Sequence, residues 1–173
     1  NSSWSDHLRK ILSGETLEIF NSAQDIQTLK KDFKVLNKSQ QIEILAEFFK
    51  ALAYYESGYD PRSQSVDVGT YSNKDTWSIG LLQLSVIDQS NLGLRLGYEF
   101  NDLLDPIKNL DFGIEIMKNQ IKKRGKIFIH KGEKGNPALY WATLCPGGKY
   151  DKSLEIIEWV SKTFKGTYEN ILD

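Results

Sequence analysis

The sequence predicts a mainly α fold of the α+β class: a helical body with one short β or loop flap. Three observations carry this. Apolar residues recur at steps of three and four over most of the chain, the mark of helices with one buried stripe. Only 13 glycines and 4 prolines interrupt 173 residues, which leaves room for long helices. The periodicity fails in one place, residues 58 to 77, where Gly, Pro, Ser, Asn and Asp crowd together in loop proportions.

The elements follow in chain order. Trp4, Leu8, Ile11 and Leu12 form a first helical stripe that stops at Gly14. A second stretch runs through Ile26, Leu29, Phe33 and Leu36. Ser39 reads as the N-cap of the strongest helix. There Ile42, Leu45, Ala46, Phe49, Leu52 and Ala53 share one face. In the flap, Val66 and Val68 suggest a short strand. Asp105-Pro106 opens a further helix, with Asp as N-cap and Pro at its first position. Its stripe is Ile107, Leu110, Ile114, Met117 and Ile121. The cluster Lys122, Lys123, Arg124 and Lys126 closes it, favourable at a helix C-terminus. Asn136-Pro137 opens a helix through Leu139, Trp141 and Ala142. Asp151 caps a last one through Leu154, Ile157, Val160 and Phe164. The length suits a single domain, residues 1 to 173, with residues 1 to 38 as an N-terminal helical extension.

Composition excludes several classes. Apolar residues at 40% and charged residues at 26% belong to a globular chain, not a disordered one. No stretch approaches the roughly 18 apolar residues of a membrane span. Net charge is −1, from 22 basic and 23 acidic residues, without the basic excess a nucleic-acid partner would want. The lone Cys145 rules out an intramolecular disulfide and lacks a nearby His to activate it as a nucleophile. His7 and His130 stand apart from any cluster at ligand spacing, so neither a metal nor a cofactor is expected. The first residues carry neither Met nor an apolar signal core, as in a processed chain whose targeting segment is missing.

The residue that points to chemistry is Glu56. Fourteen residues beyond Ile42, at about 100° each, it returns to the apolar face of its own helix. A carboxylate there is desolvated. Its charged form is penalised, its pKa rises, and it can stay protonated near neutral pH as a general acid. A bland alternative is a glutamate turned into water at a fraying helix end.

The residues that follow narrow this. Glu56-Ser57-Gly58-Tyr59-Asp60-Pro61, then Ser63 and Ser65, then Gly80-Leu81-Leu82-Gln83, resemble the catalytic domain of soluble lytic transglycosylases and goose-type lysozymes. Leu82 stands where Met is usual, a volume-conserving exchange. Asp105-Pro106 and the Asn109–Gly113 pair extend the likeness, which spans roughly residues 42 to 145. The resemblance implies a lysozyme-like fold with a saccharide-binding cleft. The implied substrate is peptidoglycan, cut at the β-1,4 bond between N-acetylmuramic acid and N-acetylglucosamine or a de-N-acetylated form. By the same resemblance Glu56 is the catalytic acid, while Ser65 and Gln83 contact the sugar. Tyr140, two residues earlier than the family's tyrosine, is the candidate for orienting the acid. An exported chain, periplasmic or extracellular, acting as a monomer is implied too.

The chain departs from that pattern in two further ways. About ten additional residues lie between Ser65 and Ser78, and carry Asp67, Tyr71, Asp75 and Trp77. Ser85 also stands where goose-type enzymes place an aspartate. Tyr71 and Trp77 are candidates to stack on sugar rings, and Asp75, ahead of Asp67, to be a second acid. Hydrolysis needs such a second carboxylate at a set separation, whereas transglycosylation needs only one. Sequence leaves the two open. It also leaves open an inactive glycan-binding module and a chitin-type amino-sugar hydrolase. The near-neutral charge suggests a wall whose anionic character is offset by free amines, or tethering by a missing segment.

Overall fold

A computed structural model describes residues 2 to 66, 69, 71 to 133 and 139 to 164. It consists of six α-helices, two very short strands and several 3-10 turns. The helices are α1 (Ser2–Ile11), α2 (Glu15–Asn21), α3 (Lys38–Ser57), α4 (Asp88–Asn91), α5 (Pro106–Arg124) and α6 (Ser153–Phe164). The strands β1 (Gln64–Ser65) and β2 (Ser78–Ile79) pair antiparallel, with Gln64 opposite Ile79 and Ser65 opposite Ser78. The expected mainly α class is therefore found.

Helix α3 is the axis of the core. Leu45, Ala46, Phe49, Leu52 and Ala53 are buried as expected, and so are Ile44, Phe48 and Ala51 on its other flanks. It is wrapped on more sides than a single stripe requires. Helices α1 and α2 pack against α3 and α5 through Leu8, Leu17 and Phe20, and α6 lies along α3 through Ile156, Val160 and Phe164. Helix α5 starts where Asp105-Pro106 predicts: the Asp105 carboxylate accepts from Ile107 N–H at 2.8 Å. Its C-terminus closes on Gly125 at φ 72°, a left-handed position that suits glycine.

Some expectations are corrected. The cap of α3 is Asn37, not Ser39. Asn37 and Gln40 exchange side-chain and backbone hydrogen bonds in a capping box, which places Ser39 inside the first turn. The first stripe does stop ahead of Gly14, since α1 ends at Ile11, but a helix absent from the expected elements follows: Gly14, at φ 63°, turns the chain into α2. The stretch from Ile26 to Leu36 is two 3-10 turns (26–28 and 33–35) that still bury Ile26, Leu29 and Phe33. The β pairing uses Gln64–Ser65; Val66 lies just after it, and Val68 is outside the described residues. On α6, Leu154 is exposed and Ile156 takes the buried position. The Asn136-Pro137 helix start also falls outside the described residues. From Leu139 to Trp141 the chain is not helical, and a 3-10 turn follows at Ala142–Leu144. Among the described residues no helix is long and apolar enough to cross a membrane.

Candidate active site

Glu56 lies in the last turn of α3. The helix stops because Gly58 takes the left-handed conformation, φ 62°, and returns its N–H to Tyr54 C=O at 2.8 Å. Ser57 fastens this end to the next wall of the site, its hydroxyl lying 2.8 Å from Leu81 C=O and 3.1 Å from Ala53 C=O.

That wall is the loop Gly80-Leu81-Leu82-Gln83. Asn109, fully buried on α5, holds it. The Asn109 amide donates to Ile79 C=O at 2.9 Å and Leu103 C=O at 3.0 Å, and accepts from Leu82 N–H at 2.9 Å. Gly80 sits at φ 76°, and a Cβ there would lie 2.3 Å from Leu103 O and 2.4 Å from Asn109 Nδ2. A Cβ on Gly113 would meet Leu82 Cδ1 at 2.3 Å, so the Asn109–Gly113 spacing is a socket for this loop. Gln83, itself left-handed at φ 53°, turns its amide nitrogen to Ser63 and Gly80 carbonyls and its oxygen to the Ser65 hydroxyl at 2.9 Å.

The third wall is the segment 139–144, hung from the core by side chains. Trp141, 2% exposed, donates its indole N–H to Leu82 C=O at 2.8 Å. Tyr140 packs edge-on against Trp141, and its hydroxyl donates to Asp88 at 2.6 Å while accepting from Ser85 N–H at 3.0 Å. Thr143 donates to Glu56 Oε1 at 2.7 Å.

These walls enclose a cleft of about 370 Å³ lined by Glu56, Ser65, Gln83, Tyr140 and Thr143, with Tyr55, Ser78 and Tyr150 among its other walls. Four of the residues singled out in the sequence thus share one cavity. Three do not line it. Asp75 borders a separate cavity of about 480 Å³ with Lys74, Tyr98 and Phe100. Trp77 stands edge-on to Phe100, with ring centroids 6.1 Å apart. Tyr71 is 64% exposed. Asp67 lies outside the described residues. The expected link from Tyr140 to the acid is also replaced: the tyrosine hydroxyl is taken by Ser85 and Asp88, and Thr143 holds Glu56. Local sequence gives no signal for Thr143, which lies 87 residues away from its partner.

Burial pushes the Glu56 carboxyl up to about 7 from an ordinary 4.5, and the Thr143 hydroxyl opposes the rise by stabilising the anion. With Oε1 occupied by Thr143, Oε2 is the oxygen available to carry the acid's proton. Among the described residues that line the cleft, Glu56 is the only carboxylate. No cluster of three or more metal-ligating side chains occurs among the described residues.

Residues 34–137 match the family described as the Transglycosylase SLT domain. The fold is similar to solved structures of Bd0314 DslA. Its wild-type form 2 shares 24% identity at a TM-score of 0.75, with 92% of this chain and 88% of that chain covered. Two mutants of the same protein give 22% identity at a TM-score of 0.74 and 24% at 0.75, over the same shares of the chains. At such identities the likeness speaks to the fold. None of the curated proteins compared with the chain matches it.

Proposed function

This chain belongs to the transglycosylase SLT domain family, and from that premise we propose that it cleaves peptidoglycan strands by lytic transglycosylation, with Glu56 as its one acid and base. The observation that carries the reading is a carboxyl raised to about 7 by burial, alone of its kind among the described cleft residues. Protonated Glu56 donates to the glycosidic oxygen of the β-1,4 bond between muramic acid and glucosamine, and the glucosamine-bearing strand leaves with that proton. The resulting carboxylate takes the proton of the muramyl 6-hydroxyl as that oxygen attacks the anomeric carbon. A 1,6-anhydro ring closes and the acid is restored. A carboxyl titrating near neutrality is suited to both halves, because neither giving nor taking the proton is strongly uphill.

The other walls have roles in this reading. Ser65 and Gln83, already bonded to each other, present a polar edge for sugar hydroxyl or acetamido groups. Tyr140 and Trp141 support an aromatic wall beside the scissile bond. The enzyme acts where its substrate is, outside the cytoplasm, as a single catalytic domain and a monomer. Both N-acetylated and de-N-acetylated strands fall within the proposed substrate class.

Mass spectrometry of products released from purified sacculi tests the reaction. Transglycosylation yields anhydromuramyl ends, lighter by one water than hydrolytic products. Reducing muramyl ends would overturn the one-acid route, and release that persists undiminished in Glu56→Gln would overturn the role of Glu56.

A further inference from the structure

The flap has two faces, and the catalytic cleft uses one. Side chains alternate along β2. Ser78 lines the cleft, whereas its neighbour Trp77 meets Phe100, a wall of the separate cavity of about 480 Å³. Among the described residues none lines both cavities. The floor of this groove is aromatic and held in place. Gln89 clamps the Tyr98 backbone with two hydrogen bonds, at 2.6 and 3.0 Å, and the Tyr98 ring packs edge-on against buried Phe112. The Lys74 ammonium lies 5.8 Å from the centre of the Trp77 ring and 5.6 Å from that of Phe100, which fastens the flap to segment 98–101. Asp75 C=O adds a second fastening by accepting from Ile87 N–H at 3.0 Å. The rim is polar and exposed, with Asp75, Glu99 and Asn101 on it. Lys74, Asp75 and Trp77 belong to the additional flap residues for which the cleft has no use.

We propose that this groove is a non-catalytic sugar site, and that it holds a pyranose of a neighbouring glycan strand while another strand lies in the cleft. The inference rests on the proposed glycan substrate. The chemistry of the walls selects the occupant. The C–H face of a pyranose is apolar and flat, and matches the ring of Phe100 or Tyr98. Its edge carries hydroxyl and acetamido groups, which the Asp75 carboxylate and the Asn101 amide can meet as acceptor and as donor. Charge of both signs on the rim suits a neutral ring better than an ion. The volume lies within the range of ordinary small-ligand clefts. Because cleft and groove face opposite sides of the flap, the strand being cut does not pass over the groove, and a second strand fills it. A net charge of −1 gives the chain no electrostatic hold on an anionic wall. Stacking and hydroxyl contacts supply a hold that needs no charge. The groove therefore governs retention on the wall and leaves turnover of short glycans alone.

Co-sedimentation with purified sacculi tests this, in a Glu56→Gln background so that the glycan is not consumed. The double variant Phe100→Leu, Asn101→Ala removes the flat ring and the amide. Its apparent Kd for sacculi should rise about five- to ten-fold. Asp75→Asn keeps the shape of an exposed side chain and should weaken retention part of the way; it carries the test alone if the double variant does not fold. With Glu56 restored, the folded variants should cleave a soluble tetrasaccharide of N-acetylglucosamine and N-acetylmuramic acid with parental kcat and KM. Retention equal to the parent's would overturn the groove. So would a matching loss on the tetrasaccharide, which would make these residues part of the cleft. Groove-dependent retention in a chain that cleaves no glycan would overturn the proposed function and uphold this site.

Discussion

At the residue scale, two opposed influences set Glu56: desolvation raises its pKa and Thr143 lowers it. Replacing it with Gln keeps the shape and the hydrogen bond from Thr143 but removes the proton. Cleavage should fall by about 10²–10⁴-fold while the fold remains, measured by release from sacculi. The same variant should gain stability in a defined pH window. The native carboxyl keeps its proton up to about 7, whereas an unfolded glutamate loses it near 4.5. The unfolded state therefore binds fewer protons between those values, and stability falls as pH rises through them, levelling off above 7. At about 1.4 kcal/mol per pH unit the loss approaches about 3 kcal/mol. Glu56→Gln should match the parent near pH 4 and exceed it at pH 8 by about 1–3 kcal/mol in denaturant unfolding. Thr143→Val removes the hydrogen bond that favours the anion. The alkaline limb of the rate profile should then move up by about half a unit to one unit, and Thr143→Ser should bring it back.

At the element scale, the site depends on how the Gly80 loop is socketed on α5. Asn109→Ala removes three buried hydrogen bonds at once and leaves two carbonyls and an N–H without their partner. A loss of about 2–4 kcal/mol is expected in thermal or denaturant unfolding, together with weakened cleavage. This is also the scale at which legibility in the sequence divides. The faces of α3 and α5 were readable because their apolar spacing and the Asp105-Pro106 start are local signals. Glu56, Ser65 and Gln83 were readable as motif residues. Short-range ambiguity explains the misplaced cap, since Asn37 and Ser39 are both good caps and only the reciprocal bond with Gln40 decides. The segment 139–144 departs from the expected helix for a different reason. Leu139 and Ala142, three residues apart after an Asn136-Pro137 start, suit a helix, yet the conformation is set by distant anchors at Leu82, Asp88 and Glu56. Thr143 belongs to the same class, as does Asp88, three residues past the Ser85 position where an aspartate was missed.

At the scale of the whole molecule, the N-terminal helices are part of the core that supports α3. Leu8, Leu12, Leu17 and Phe20 are 0–3% exposed, and His7 reaches Asp111 on α5 at 2.6 Å. A chain beginning at Glu15 would strip Leu8 and Leu12 from that core, at about 1.5–3 kcal/mol for each buried side chain. It should unfold at markedly lower temperature, as circular dichroism would report. The neighbouring position of Trp141 and Glu56 on one cleft has a further, optical consequence. An indole screened from bulk water, lining the same cleft as a group that changes charge near neutrality, is a built-in fluorophore for that group. Its emission should shift with a midpoint near pH 7 in the resting protein, and the shift should vanish in Glu56→Gln. The acid can then be titrated with light, before any glycan is added.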